Sequence, residues 1–152
     1  KFENALKNLC LNLAKQVVVD GEGAKKFVTV KILNAKSVTS AKKIAFSIAN
    51  SPLVKTAIAG EDPNWGRVIM GVGKSGENID KGKLVIKFGE FTVAEKGKIS
   101  DNYEEEKIKE YMKWDSIEIE VNLNNGNDTF ECYTCDFTHD YIEINADYTN
   151  ST

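Results

Sequence analysis

An α/β domain with helices first and a mainly antiparallel sheet later is the fold that this 152-residue sequence predicts. Three observations carry the expectation. Apolar residues recur at three- and four-residue spacing near the start, strict apolar/polar alternation takes over in the second half, and no internal repeat, low-complexity tract or linker divides the two.

The elements follow in order. Phe2, Leu6, Leu9, Leu13 and Val17, with Lys7, Asn8, Asn12 and Lys15 between them, form one apolar stripe on a helix that ends near Val19. Asp20-Gly21-Glu22-Gly23 turns the chain, and Phe27 to Ile32 reads as a strand, which puts Glu22 on a tight helix-to-strand connection. Thr39 or Ser40 caps a second helix whose buried face is Ala41, Ile44, Ala45, Ile48 and Ala49, small enough for close helix packing. Pro52 restarts the chain as a short helix ending near Gly60. Glu61 to Arg67 is a polar turn into a helix over Val68 to Val72, with Asp62 as N-cap and Pro63 at the first helical position. Leu84 to Phe88, Phe91 to Val93 and the alternating Ile117, Ile119, Val121 and Leu123 are strand patterns, while Asn102 to Lys113 is a charged helix with Ile108, Tyr111 and Met112 inward. Asn125-Gly126 is a hairpin signal before a last strand, Thr129 to Cys135.

Composition bounds the function. At 41% hydrophobic and 28% charged, with 20 Lys+Arg against 23 Asp+Glu, the chain falls among single globular domains and outside the collagen-like, disordered and strongly basic classes. A net charge of −3 with scattered basic residues gives no footprint for a nucleic-acid backbone. No apolar run reaches the roughly 18 to 20 residues that cross a bilayer, and Lys1-Phe2-Glu3-Asn4 opens neither a signal nor a transit peptide, so a cytoplasmic protein without a membrane partner is expected. Three cysteines, an odd count, fit a reducing compartment.

Few motifs carry chemistry by themselves. Gly71-Val72-Gly73-Lys74-Ser75 has the look of a phosphate-loop tail, but Val68 stands where such a loop needs its first glycine and a helix precedes it, so a glycine-rich helix end is the better reading. Cys132 and Cys135, with His139 after them and Cys10 far upstream, are soft metal ligands by type; on a strand, side chains three apart point to opposite faces, so buried strand cysteines are the simpler expectation. His139, the lone histidine, is either a general base or a polar contact at a strand end. The sequons at Asn127 and Asn150 carry no meaning without secretion. Glu22 stands out: its flanking glycines leave the backbone open to a ligand and put a carboxylate on a loop where it can meet an amine, the alternative being a solvated turn acid. Arg67 either forks onto a substrate carboxylate or pairs with Glu61 or Asp62, and Asn145 either bonds a ligand or caps a strand end.

Three segments taken together say more. Asp20-Gly21-Glu22-Gly23-Ala24, the run from Ile48-Ala49-Asn50-Ser51-Pro52 through Glu61-Asp62-Pro63-Asn64-Trp65-Gly66-Arg67, and Cys135-Asp136-Phe137-Thr138-His139-Asp140-Tyr141 followed by Ile144-Asn145-Ala146-Asp147-Tyr148 closely resemble, in order and spacing, the C-terminal part of the ornithine acetyltransferase family, also called glutamate N-acetyltransferase. Phe137 and Pro63 are mild variants of the pattern. The resemblance implies an α/β sandwich like that of the aminopeptidase DmpA and of N-terminal-nucleophile hydrolases. It also implies a precursor that cleaves itself before a threonine into α and β chains, assembled as α2β2. That threonine takes acetyl from N-acetylornithine and passes it to glutamate, splitting one difficult step into two, with an oxyanion site on the way; no metal or other cofactor is implied, and acetyl-CoA stands open as a second donor.

On the same resemblance, residues 1–152 are the C-terminal region of the β chain, with the nucleophile and oxyanion residues upstream and no catalytic residue here. The implied partners are the α chain, the upstream part of the β chain, and N-acetylornithine, ornithine and glutamate. Glu22 and Asn145 match the family's substrate-binding glutamate and asparagine, and Asn150, with Thr149 as rival, falls at the family's last C-terminal contact. An amidase or aminopeptidase of the same superfamily, or a non-catalytic binding fragment, is the alternative.

Overall fold

The computed structural model describes residues 1–146. In chain order these form α1 (Phe2–Val19), β1 (Phe27–Ala35), α2 (Val38–Ala49), α3 (Pro52–Ala59), α4 (Trp65–Lys74), β2 (Val85–Phe88), β3 (Phe91–Glu95), β4 (Lys98–Ile99), α5 (Glu105–Met112), β5 (Ser116–Asn122), β6 (Asp128–Cys135) and α6 (His139–Ala146). The strands make one sheet in the order β4-β3-β2-β5-β1-β6, antiparallel at every step except β1 beside β5.

The core lies on one face of this sheet. Val28, Val30 and Ile32 of β1 and Ile117, Ile119 and Val121 of β5 alternate inward and are buried under Ile44, Ala45 and Ile48 of α2, the small residues letting the helix come close. Each fully buried aliphatic side chain here contributes roughly 1.5–3 kcal/mol. α4 stacks on α2 through Gly71, where an added Cβ would stand 3.2 Å from the Cα of Ile48. The opposite face carries ion pairs, Lys31 with Glu118 at 2.6 Å and Lys87 with Glu120 at 3.6 Å, beside a stack of Phe27 on Tyr133.

Several local expectations need correction. Ser37, not Thr39 or Ser40, caps α2, accepting the Ser40 N–H at 3.1 Å. α4 is capped by Asn64, which accepts from the Arg67 N–H at 3.1 Å, two residues later than expected; Asp62 instead accepts a bond from the Asn64 amide. The expected hairpin does not form. β6 pairs with β1 rather than β5, so β1 is sandwiched between them and the Asn125-Gly126 link crosses the end of β1. There Asn125 donates its N–H to Asn34 O at 2.8 Å, and any Cβ on Gly126 would lie 2.2 Å from the Ala35 carbonyl oxygen, so glycine is set by that close crossing. α6, where no helix was expected, buries no residue and shows no long apolar stripe: Tyr141 and Ile144, three apart, share a face while Ile142 lies off it, and all three are exposed. The stripe of α1 forms as read, yet none of its residues is buried.

Candidate functional site

The connection from α1 to β1 is the centre of the site. After Val19, Gly21 donates to Val18 O at 3.3 Å and Ala24 donates to Gly21 O at 2.9 Å, closing a turn that pushes Glu22 outward. Gly23 takes φ +68, and an added Cβ would fall 2.5 Å from Tyr141 N, so both the backbone shape and the close approach of α6 require glycine. The final strand and the segment after it hold this turn. Asp136, only 4% exposed, accepts the backbone N–H groups of Lys25 and Lys26 on one oxygen at 2.9 and 3.0 Å. Thr138 donates its hydroxyl to Gly23 O at 2.6 Å, and the Lys25 ammonium meets Asp140 at 2.9 Å. On the other side, the buried ammonium of Lys26 donates to Met112 O at 2.9 Å and Trp114 O at 3.1 Å, capping the open carbonyls at the end of α5, with Glu61 at 3.4 Å.

α6 then carries Asn145 to Glu22, bringing together two residues 123 positions apart. The Asn145 amide nitrogen donates one bond to the Glu22 carboxylate at 2.9 Å and another to Tyr141 O at 2.9 Å. Both partners are acceptors, which fixes the orientation of the amide and uses both of its hydrogens. The acceptor atoms these bonds leave over are the second carboxylate oxygen of Glu22 and the amide oxygen of Asn145. Beside them lies a cleft of about 250 Å³ lined by Gly21, Asn50, Lys55, Cys135 and Tyr141 among others. A neighbouring cleft of about 440 Å³ is lined by Lys25, Thr56, Thr138, His139 and Asp140.

The other nominated residues separate. Arg67 touches neither Glu61 nor Asp62; its guanidinium donates to Leu53 O at 2.8 Å and to the Thr56 hydroxyl at 3.2 Å, tying α4 to α3. Gly71 and Gly73 lie inside α4, with Ser75 at its C-cap, the helix end that the spacing favoured. Cys132 is buried on the α2 face, where loss of water, and secondarily the charge of Glu131, pushes its thiol up to about 11. Cys135 lies on the other face, and its sulfur is 3.5 Å from where a Cβ on Gly21 would sit. Cys10 is exposed on α1, far from both in sequence. His139 opens α6 on the neighbouring cleft rather than ending a strand. Asn150 and its rival Thr149 lie outside the described residues. Sequence reasoning passed over Asn50, Lys55 and Tyr141 as cleft-lining residues and Asp136 and Thr138 as the turn's supports. Their one signal was membership in the segments quoted for the resemblance.

A family model described as the ArgJ family matches residues 1–150. Among similar proteins, the arginine biosynthesis bifunctional protein ArgJ of Ruegeria pomeroyi is 55% identical over 148 residues, covering 97% of this chain and 36% of the relative. The ArgJ of Brucella melitensis is 52% identical over 147 residues with the same coverage. The chain thus spans about 36% of the length of the curated relatives it matches. A crystal structure of arginine biosynthesis bifunctional protein argJ from Bacillus halodurans superposes with TM-score 0.92 at 39% identity, over 97% of this chain and 69% of that one. That likeness bears out the expected fold class, helices first and then a mainly antiparallel sheet of the N-terminal-nucleophile type.

Proposed function

The chain belongs to the ArgJ family, and from that premise we propose that it is the C-terminal region of the β chain of a glutamate N-acetyltransferase, passing acetyl from N-acetylornithine to glutamate in arginine biosynthesis. The observation that carries the reading is the bond between Glu22 and Asn145, which unites the two residues nominated for substrate binding from opposite ends of the chain. Their remaining oxygens accept and do not donate, as a site for the nitrogen of an amino-acid substrate requires; a substrate carboxylate would be repelled there. Asn150 is the third substrate contact in this proposal.

The covalent step belongs to the rest of the protein. An upstream threonine, freed by self-cleavage, attacks the acetyl carbonyl, ornithine leaves, and glutamate takes acetyl from the ester, so the work of this region is to hold the amino acid in line with that threonine. The stretch that fills 36% of a curated relative fills 69% of the crystallised Bacillus chain, making that chain roughly half as long, which supports a precursor split into α and β parts. The exposed stripe of α1 is the face assigned here to the remaining portion of the protein, and the assembly proposed is α2β2 in the cytoplasm; among the described residues no helix is long and apolar enough to cross a membrane. No cofactor enters the proposed transfer between ornithine and glutamate, and in this proposal acetyl-CoA is a second acetyl donor, a reading that the name bifunctional of the relatives accommodates.

In the complete enzyme, Glu22→Ala is expected to lower kcat/KM for N-acetylornithine by roughly 10- to 150-fold, the worth of a hydrogen bond to a charged group. Steady-state kinetics check this, and unchanged kinetics would remove Glu22 from the site. Release of free acetate in place of transfer to glutamate would favour the amidase alternative.

A further inference from the structure

The Glu22 turn has little reason of its own to keep one shape. It carries two glycines in three residues, is mostly outside the core, and ends with Glu22 exposed to solvent. Its fixity comes from outside. Asp136 and Thr138, just beyond the end of β6, grip it at three places: Thr138 holds the Gly23 carbonyl, and Asp136 holds the N–H groups of Lys25 and Lys26. The grip is mutual, because Asp136 donates its own N–H to Lys26 O at 3.2 Å and the next residue, Phe137, donates to Lys55 O at 3.2 Å. The same segment runs directly into α6, which delivers Asn145 to Glu22. One stretch of chain therefore fixes both the backbone under Glu22 and the side chain that orients its carboxylate.

We infer that Asp136 and Thr138 are positioning residues of the acetyl-transfer site, acting on substrate through Glu22. The inference rests on the reading of Glu22 as a substrate contact. Asp136 lines the cleft beside Glu22 and Thr138 the neighbouring one, but their bonds to the turn are what this role requires. The carboxylate of Asp136 is buried, and its second oxygen, Oδ2, has no partner among the described residues. That oxygen is surplus to the grip, since both N–H bonds fall on Oδ1.

A double-mutant cycle in the complete enzyme separates positioning from mere support of the fold. Thr138→Val removes the bond to Gly23 with little change in volume, and it is expected to lower kcat/KM roughly tenfold, mainly through KM, while Thr138→Ser stays within about twofold of the parent. In a Glu22→Ala background the same Thr138→Val change should cost less than about twofold more, because the group it positions is gone. Full multiplication of the two losses would overturn the inference, as would an unimpaired Thr138→Val beside an impaired Glu22→Ala. Asp136→Asn keeps the Oδ1 acceptor and should remain within about fivefold of the parent. A loss as large as that of Glu22→Ala would show that Oδ2 itself takes a ligand, against a positioning role. An inert Glu22→Ala would remove the underlying substrate contact, and the clasp with it.

Discussion

Asn145 has one amide with two hydrogens, and both are spent inside the protein, on Glu22 and on Tyr141 O. An aspartate there would set a second carboxylate about a hydrogen bond's length from Glu22 and face the Tyr141 carbonyl as well. Two carboxylates so close do not both ionise cheaply, so one keeps its proton to higher pH. Asn145→Asp in the complete enzyme should therefore shift the acid limb of the pH–rate profile upward and lower the plateau; superimposable profiles would detach Asn145 from Glu22. Glu22 was legible from sequence because two glycines advertise an open turn, a purely local signal. Asn145 was not legible locally, since its role depends on a helix with no long apolar stripe and on a partner 123 residues away. Asp136 and Thr138 left even less trace, because gripping a backbone demands no pattern in the sequence gripped.

Between elements, the same kind of clasp recurs at Glu77, just beyond α4. Its carboxylate meets Lys36 at 2.8 Å, accepts the Ser40 hydroxyl at 2.7 Å and meets Lys43 at 3.2 Å, pinning the exit of α4 to the start of α2. These hydrogen bonds, that from Lys36 first, hold the acid at about 2 against an ordinary 4.5. A carboxylate depressed on folding stabilises the folded state above its ordinary value, and this contribution fades as pH falls from about 4.5 to about 2. Denaturant unfolding should find Glu77→Gln less stable than the parent at pH 6 and the difference gone near pH 2; a constant difference across that range would refute the clasp. At this scale the helices and strands were readable because periodicity reports burial, and the four central burial patterns came through. Pairing was not. Asn125-Gly126 suits a hairpin as well as a crossing, and only the insertion of β1 between β5 and β6, a long-range event, decides between them.

For the molecule as a whole, α1 is the discordant part. Seven of its large apolar side chains are exposed, Phe2 at 80% and Val17 at 74% among them, while α2, with much smaller residues, is sealed into the core. Burying such side chains contributes roughly 1.5–3 kcal/mol each, and most of a protein helix's stability comes from packing its apolar face rather than from intrinsic propensity. The proposal above gives this stripe to the remaining portion of the protein, the chain spanning about 36% of the length of its curated relatives, and a large exposed apolar surface is the kind that interfaces cover. In the complete assembly, hydrogen exchange should protect the amides of α1 nearly as well as those of α2. In the 152-residue chain alone, α1 should exchange fast, and sedimentation should show self-association that grows with concentration and disappears in Leu9→Asp/Leu13→Asp. The same pair of changes should block capture by the remaining portion without altering exchange in α2 and β1, since α1 buries no residue against them. A monodisperse parent chain with α1 already protected would show that the helix is complete without a partner, and would return the stripe to an ordinary exposed surface.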